Sequence, residues 1–197
     1  MMNLIVSTDK AVRLLQGGKV GIMATDTVYG IVCLASDEAA VNRLYKIKHR
    51  EHKPGTIIAA NSQQLIDLGV KARYIRAVEQ FWPGAVSVKI PLDPKLEYLQ
   101  QGVGDGAFRV VADETVRATL EQTGPLNTTS ANMPGEPTAR NIKEAMDCFG
   151  DTVDFYVDGG NLTDRPPSTV IRIIDDAIEV VREGAVKISD SGRIITN

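Results

Sequence analysis

Strand-like and helix-like segments are interspersed along this chain from end to end, with no linker, low-complexity block or internal repeat to separate them. That order specifies helices packed on a sheet rather than a bundle or a sandwich. Cap residues followed by apolar positions three and four apart predict helices over 9–16 (capped by Ser7 or Thr8), 37–48 (capped by Ser36), 61–68, 74–81, 113–122 and 138–148 (capped by Thr138). Short apolar or alternating runs predict strands over 19–23, 56–60, 85–90, 107–111, 126–129, 153–157, 169–173 and 178–181. Residues 24–30 read as a polar turn and 93–106 as a loop long enough to move. The run of strands late in the chain argues against a simple doubly wound parallel sheet. The expectation is one α/β domain over 1–197 with a twisted, mixed sheet.

With 197 residues, 43% hydrophobic and 24% charged, such a domain holds its own core without a disulfide or a structural metal. Twenty-two basic residues against twenty-five acidic ones leave a net charge of -3, which argues against broad, non-specific nucleic-acid binding. Cys33, in the run Ile31-Val32-Cys33-Leu34, reads as a core hydrophobe, and Cys148 stands in an unrelated context. The sequons at Asn127 and Asn161 have no signal peptide to give them meaning, and no run of ~18 apolar residues is long enough for a membrane span. The expected location is the cytoplasm.

Several common chemistries are missing. There is no phosphate-binding P-loop, and Gly17-Gly18-Lys19 is a helix stop leading into a strand. Gly102, Gly104 and Gly106 lack the spacing of a dinucleotide fingerprint. The two histidines, His49 and His52, lie among Lys48, Arg50 and Lys53, which repel a cation, so no metal site built from protein side chains is expected. What remains is hydroxyls, amides, lysines and arginines, an inventory suited to binding and orienting an anion.

Four segments could supply that chemistry. Thr25-Asp26-Thr27-Val28-Tyr29-Gly30 follows a strand, where open sheets commonly bind ligands; an ordinary Thr/Asp turn accounts for it equally. At the end of the second helix, Lys48 and Arg50 either neutralise phosphates or form a solvated helix end. Lys48 falls on the apolar stripe of Val41, Leu44 and Tyr45, an unusual place for a charge. Thr128 to Asn132 offers neutral hydrogen bonds at a strand end, or plain turn residues. Arg109 within a strand, Ser168 after two prolines and Arg182 before Gly184 each fit either a ligand or a structural partner.

Taken in order, these segments resemble the YrdC family of threonylcarbamoyl-AMP synthases. The likeness rests on TDTVYG at 25–30, the K-x-R of Lys48 and Arg50 with Pro54 after it, and WPG at 82–84. It continues with Arg109, TSAN at 129–132 with Gly135, PPSTV at 166–170 and REGAV at 182–186. It covers about 8–186 and leaves 187–197 as a tail, without the extra C-terminal domain of longer relatives. Ala24 and Ala112 stand where the family usually has proline, Ser87 where threonine is common, and Pro134 where a serine is usual.

The resemblance implies a basic concave cavity and a nucleotidyl transfer. In it, L-threonine, bicarbonate or CO2, and ATP with Mg2+ give L-threonylcarbamoyladenylate and pyrophosphate, for the threonylcarbamoyladenosine modification of tRNA through a partner complex. By the same resemblance, Thr25, Tyr29, Arg109 and Ser168 would form the threonine pocket. Lys48, Arg50, Ser130, Asn132 and Arg182 would serve the nucleotide, with Lys48 and Arg50 at the reacting phosphate. Lys53 would be an extra phosphate contact, and Asp26 would orient its loop through backbone bonds. Two competitors stand beside this: a module that grips double-stranded RNA or tRNA without synthase activity, and a domain that transfers a carbamoyl group from carbamoyl phosphate. The acidic net charge and sparse aromatics favour the enzyme over the RNA-binding module.

Overall fold

The structure is a computed structural model that describes residues 5–175, 177–189 and 192–195. Parts of the N-terminal segment and of the 187–197 tail expected from the sequence therefore lie outside the described residues. The helices are α1 (Thr8–Gln16), α2 (Glu38–Ile47), α3 (Ser62–Leu68), α4 (Ala72–Val78), α5 (Glu97–Gln100), α6 (Glu114–Thr123) and α7 (Ile142–Phe149). Caps set most of their starts: the side chains of Ser7, Asp37, Asn61, Asp113 and Asn141 each accept a first-turn backbone N–H.

Two starts differ from expectation. Asp37, not Ser36, caps α2, adding a negative charge at the positive end of the helix. Asn141, not Thr138, caps α7: its Oδ1 accepts from Glu144 N (3.0 Å), while Glu144 Oε2 reaches back to accept from Arg140 N (2.9 Å), the residue before the cap. The segment expected to be a loop over 93–106 holds a 3₁₀ turn (Pro94–Leu96) and α5, with Leu96 and Leu99 buried. Asp93 and Pro94 start that turn as cap and first residue.

Nine strands form one sheet: β1 (Gly21–Ala24), β2 (Tyr29–Leu34), β3 (Thr56–Ala59), β4 (Val86–Pro91), β5 (Asp105–Val110), β6 (Leu126–Ser130), β7 (Phe155–Tyr156), β8 (Thr169–Ile174) and β9 (Ala177–Arg182). Their order is β7-β1-β2-β6-β3-β5-β4-β8-β9. The pairs β1/β7, β3/β5 and β4/β8 are parallel and the other neighbours antiparallel, so the sheet is mixed, as expected. The late strands part company: β7 joins β1 at one edge, while β8 and β9 extend the other. A small hairpin, β10 (Lys187–Ile188) with β11 (Ile194–Ile195), follows. The sequence reading missed β2, whose apolar run is covered on both faces and so carries no alternation.

Register sorts the sheet's residues onto two faces. Tyr29, Ile31, Cys33, Ile57, Phe108, Val86 and Val88 belong to the larger core, which also takes in Leu44, Tyr45 and Phe149 from α2 and α7. Val32, Ile58 and Met23 face the other way, onto Leu15 of α1 and Leu120 of α6. On that second face, Gly30 lies opposite Ser130, Thr56 opposite Thr128, and Ile58 opposite Arg109. Small or polar residues thus continue the face where the apolar ones stop.

The turn after β9 lies against the segment before β8. Ala185 N donates to Pro167 O (2.8 Å), and a Cβ at Gly184 would come within 2.3 Å of Pro167 O and 2.6 Å of Ser168 O. Both obstacles are backbone and cannot swing aside. Gly184→Ala should therefore lower stability by about 1–3 kcal/mol, read as a lower denaturant midpoint, and an unchanged midpoint would show that the turn can move away.

Candidate functional site

The polar continuation of the second face is the wall of a cavity. Thr25 and Val28 line it from the β1–β2 turn, Arg50 and Gly55 from the segment after α2, and Arg109 from β5. Thr128, Thr129 and Ser130 line it from β6, with Ser168 and Arg182 from the far side of the sheet.

Arg109 is the most tightly held of these groups. It is 3% exposed, and its Nη2 donates to Asp26 Oδ1 at 2.7 Å, while Nη1 donates to Ser87 Oγ at 3.0 Å. Ser87 Oγ lies 2.9 Å from Ser168 Oγ, and Arg182 Nη2 donates to both the carbonyl (2.7 Å) and the hydroxyl (3.2 Å) of Ser168. Asp26, expected to orient its loop through backbone bonds, instead pairs with Arg109. Arg50 donates to the carbonyls of Lys53 and Pro54. Among the described residues, neither Arg50 nor Arg182 has a carboxylate within ion-pair distance.

The electrostatics follow from that arrangement. Burial, and then the charges of Arg109 and Arg50, push the Arg182 pKa below its ordinary value; burial also lowers that of Arg50. Of these three cations only Arg109 has a carboxylate partner among the described residues, so the site gains by taking an anion. Two buried polar atoms on the lining residues, Arg109 Nε and Thr129 Oγ1, have no hydrogen-bond partner among the described residues. A ligand oxygen would satisfy them.

Six of the nine candidate site residues line this cavity: Thr25, Arg50, Arg109, Ser130, Ser168 and Arg182. Tyr29 does not. Strand alternation sends it to the opposite face from Gly30, where it is fully buried and its hydroxyl bonds Gly159 N and Gly160 O, both at 2.8 Å. Lys48 and Asn132 stand behind the wall. The Lys48 ammonium donates to Ser130 O (2.8 Å), to Asn132 O and to Asn132 Oδ1 (3.2 Å), and lies 5.8 Å from the Phe149 ring centroid. Asn132 Nδ2 donates to Glu136 O (2.7 Å), and Asn132 Oδ1 also accepts from Ser130 Oγ (2.6 Å). Lys48 therefore shapes the 130–132 turn. Asp26 and Ser87 were missed as site-building groups, although a serine inside the apolar run of β4 was a visible signal.

A family model named Sua5_yciO_yrdC, described as "Telomere recombination", matches residues 13–184. The chain belongs to the Sua5/YciO/YrdC family. A relative named threonylcarbamoyl-AMP synthase, from Idiomarina loihiensis, is 33% identical over 169 residues, covering 81% of this chain and 91% of the relative. A putative threonylcarbamoyl-AMP synthase from Mycobacterium leprae is 29% identical over 94% of this chain and 86% of its own length. Among solved structures, P. abyssi Sua5 complexed with L-threonine superposes with a TM-score of 0.82 at 25% identity, over 94% of this chain. The chain spans only 58% of that longer protein. E. coli YciO gives a TM-score of 0.76 at 27% identity, covering 90% of this chain and 88% of its own.

Two outcomes follow for this Sua5/YciO/YrdC site. Removing Asp26 strands a buried guanidinium, so Asp26→Ala should destabilise the fold by about 3–5 kcal/mol in urea unfolding. A loss below about 1 kcal/mol would mean that water reaches Arg109. Burial, followed by the charge of Arg50, pushes the Lys48 pKa from 10.5 down to about 8. Between those values the unfolded chain holds a proton that the folded protein has given up, so stability attributable to Lys48 rises with pH. Wild type should gain stability relative to Lys48→Met from about pH 8 towards pH 10.5, and a flat difference would contradict it.

Proposed function

We propose that the protein is a threonylcarbamoyl-AMP synthase, joining L-threonine, bicarbonate and ATP into L-threonylcarbamoyladenylate, pyrophosphate and water. The observation that carries this reading is the convergence of Arg50, Arg109 and Arg182 on one hydroxyl-lined cavity whose described lining holds no carboxylate, Asp26 being engaged by Arg109 beside it. A substrate set bearing a carboxylate, a carbamate and a triphosphate suits that charge. The names of the relatives, and the L-threonine bound by P. abyssi Sua5, support the same choice.

The chemistry needs no protein nucleophile. The threonine amine adds to CO2 derived from bicarbonate, and the carbamate oxygen then attacks the α-phosphorus as pyrophosphate leaves. What the protein contributes is position and charge. Arg109, already fixed by Asp26, pairs with the threonine carboxylate beside Thr25 and Ser168. Arg50 and Arg182 face the phosphates, and Ser130 offers its hydroxyl to the nucleotide. Lys48 and Asn132 act one step back, by holding the 130–132 turn. Tyr29, placed in the threonine pocket by the resemblance, serves instead to anchor the 158–160 loop.

Magnesium enters as part of the ATP substrate. The described lining holds no carboxylate and Asp26 beside it is bonded to Arg109, so the wall offers phosphate partners rather than ligands for a resident ion. The reading extends to the cell as transferase activity in tRNA processing, with handover of the adenylate to a complex that modifies tRNA. Among the described residues, no helix is long and apolar enough to cross a membrane.

The test is pyrophosphate release from ATP with bicarbonate and Mg2+, with L-threonine, with L-serine and with neither. Threonine-dependent release and a threonylcarbamoyladenylate mass are expected. Arg50→Ala and Arg182→Ala should each lower the rate about 10²–10³-fold, as loss of a donor to developing charge does. No release, together with salt-sensitive RNA binding, would replace this reading with the RNA-binding one.

A further inference from the structure

Ser87 is fully buried and lies behind the cavity wall rather than on it. Its surroundings settle where hydrogen-bonding protons go. A guanidinium donates and cannot accept. Arg109 Nη1 donates to Ser87 Oγ (3.0 Å), and at the other end Arg182 Nη2 donates to Ser168 Oγ (3.2 Å). The two hydroxyl oxygens are 2.9 Å apart, so one of their two protons bridges them.

The choice between the two protons is decided by burial. If Ser168 supplied the bridge, the Ser87 proton would have no acceptor among the described residues, at a position with 0% exposure. An orphaned buried donor of that kind is strongly disfavoured. If Ser87 supplies it, the proton left over belongs to Ser168, which lines the cavity and meets whatever occupies it. With a cation at each end, burial thus imposes one direction on the chain: Arg109 to Ser87, Ser87 to Ser168, and Ser168 outward.

We propose that Ser87 is a positioning residue that commits the Ser168 hydroxyl to act as a donor, aimed at an acceptor oxygen of the amino-acid substrate. The naming of that substrate rests on the synthase reading; the direction of the chain does not. A committed donor repels an ammonium group and welcomes a carboxylate or hydroxyl oxygen. It therefore fixes which end of a zwitterionic amino acid turns towards β4 and β8. The hydroxyl is what matters, so threonine at this position would serve as well.

Two experiments test this. Ser87→Ala should raise the KM for L-threonine about tenfold, while the KM for ATP stays near the wild-type value. Ser87→Thr should restore it. Because both residues act through one donor, Ser87→Ala with Ser168→Ala should be no worse than Ser168→Ala alone. Additive losses, or equal effects on both substrates, would overturn the proposal. Neutron diffraction on deuterium-exchanged protein reads the direction without any substrate. A deuteron on Ser87 Oγ pointing to Ser168 is expected, and the reverse orientation would sink the idea. If the wild-type protein neither binds L-threonine nor uses it, the synthase reading fails, and the neutron map still decides the chain's direction.

Discussion

The ion pair between Asp26 and Arg109 is the contact on which the rest of the site depends. Both side chains are almost wholly withdrawn from water, at 6% and 3% exposure. Taking two charges out of water is costly, and their attraction repays it only with good geometry and further hydrogen bonds. Here Ser87 supplies one such bond, and Arg109 Nε is left over. The pair ties the β1–β2 turn to β5, and through Ser87 to β4. Those elements are distant in sequence, and no apolar contact would set their polar groups in one orientation. A hydrophobic replacement could hold the elements as firmly but would leave the cavity without a directed charge.

Around that pair, the cavity is a region where the fold keeps cations and omits their partners. Arg50 and Arg182 rest on carbonyl and hydroxyl oxygens, which hold a guanidinium in place without neutralising it. Lys48 is treated differently. Its ammonium is wrapped by oxygens of residues 130 and 132, so its charge is spent inside the protein, on the shape of a turn. The two halves of the K-x-R motif therefore do different work: one builds the wall, the other lines the cavity.

Much of this was legible in the sequence where local rules govern. Caps such as Ser7, Asn61 and Asp113 announce themselves, and the late strands argued against a simple doubly wound parallel sheet. Lys48 on an apolar stripe pointed correctly to an inward-facing charge, though not to its partner. What stayed hidden depends on register between distant strands. Tyr29 sits two residues from Thr27, yet the alternation of β2 turns it to the opposite face from Gly30. Asp26 read as orienting its own loop and Ser87 only as a serine where threonine is common, because their meaning comes from Arg109. Asn141 was overlooked beside Thr138 because the decisive partner, Glu144, lies within the helix and not ahead of it.

The order of the strands carries a consequence in time. The groups of the cavity come from the β1–β2 turn, the segment after α2, β5, β6, the start of β8 and the end of β9. As the chain is synthesised, the wall begins at the β1–β2 turn, β6 later fills the place between β2 and β3, and Arg182 on the edge strand arrives last. Until β9 docks, Ser168 lacks the guanidinium that closes its circuit, and the anion site has one bank missing. A partly made chain would therefore hold most of the sheet and still lack a complete cavity. The assembly of the edge doubles as the moment at which the site becomes competent.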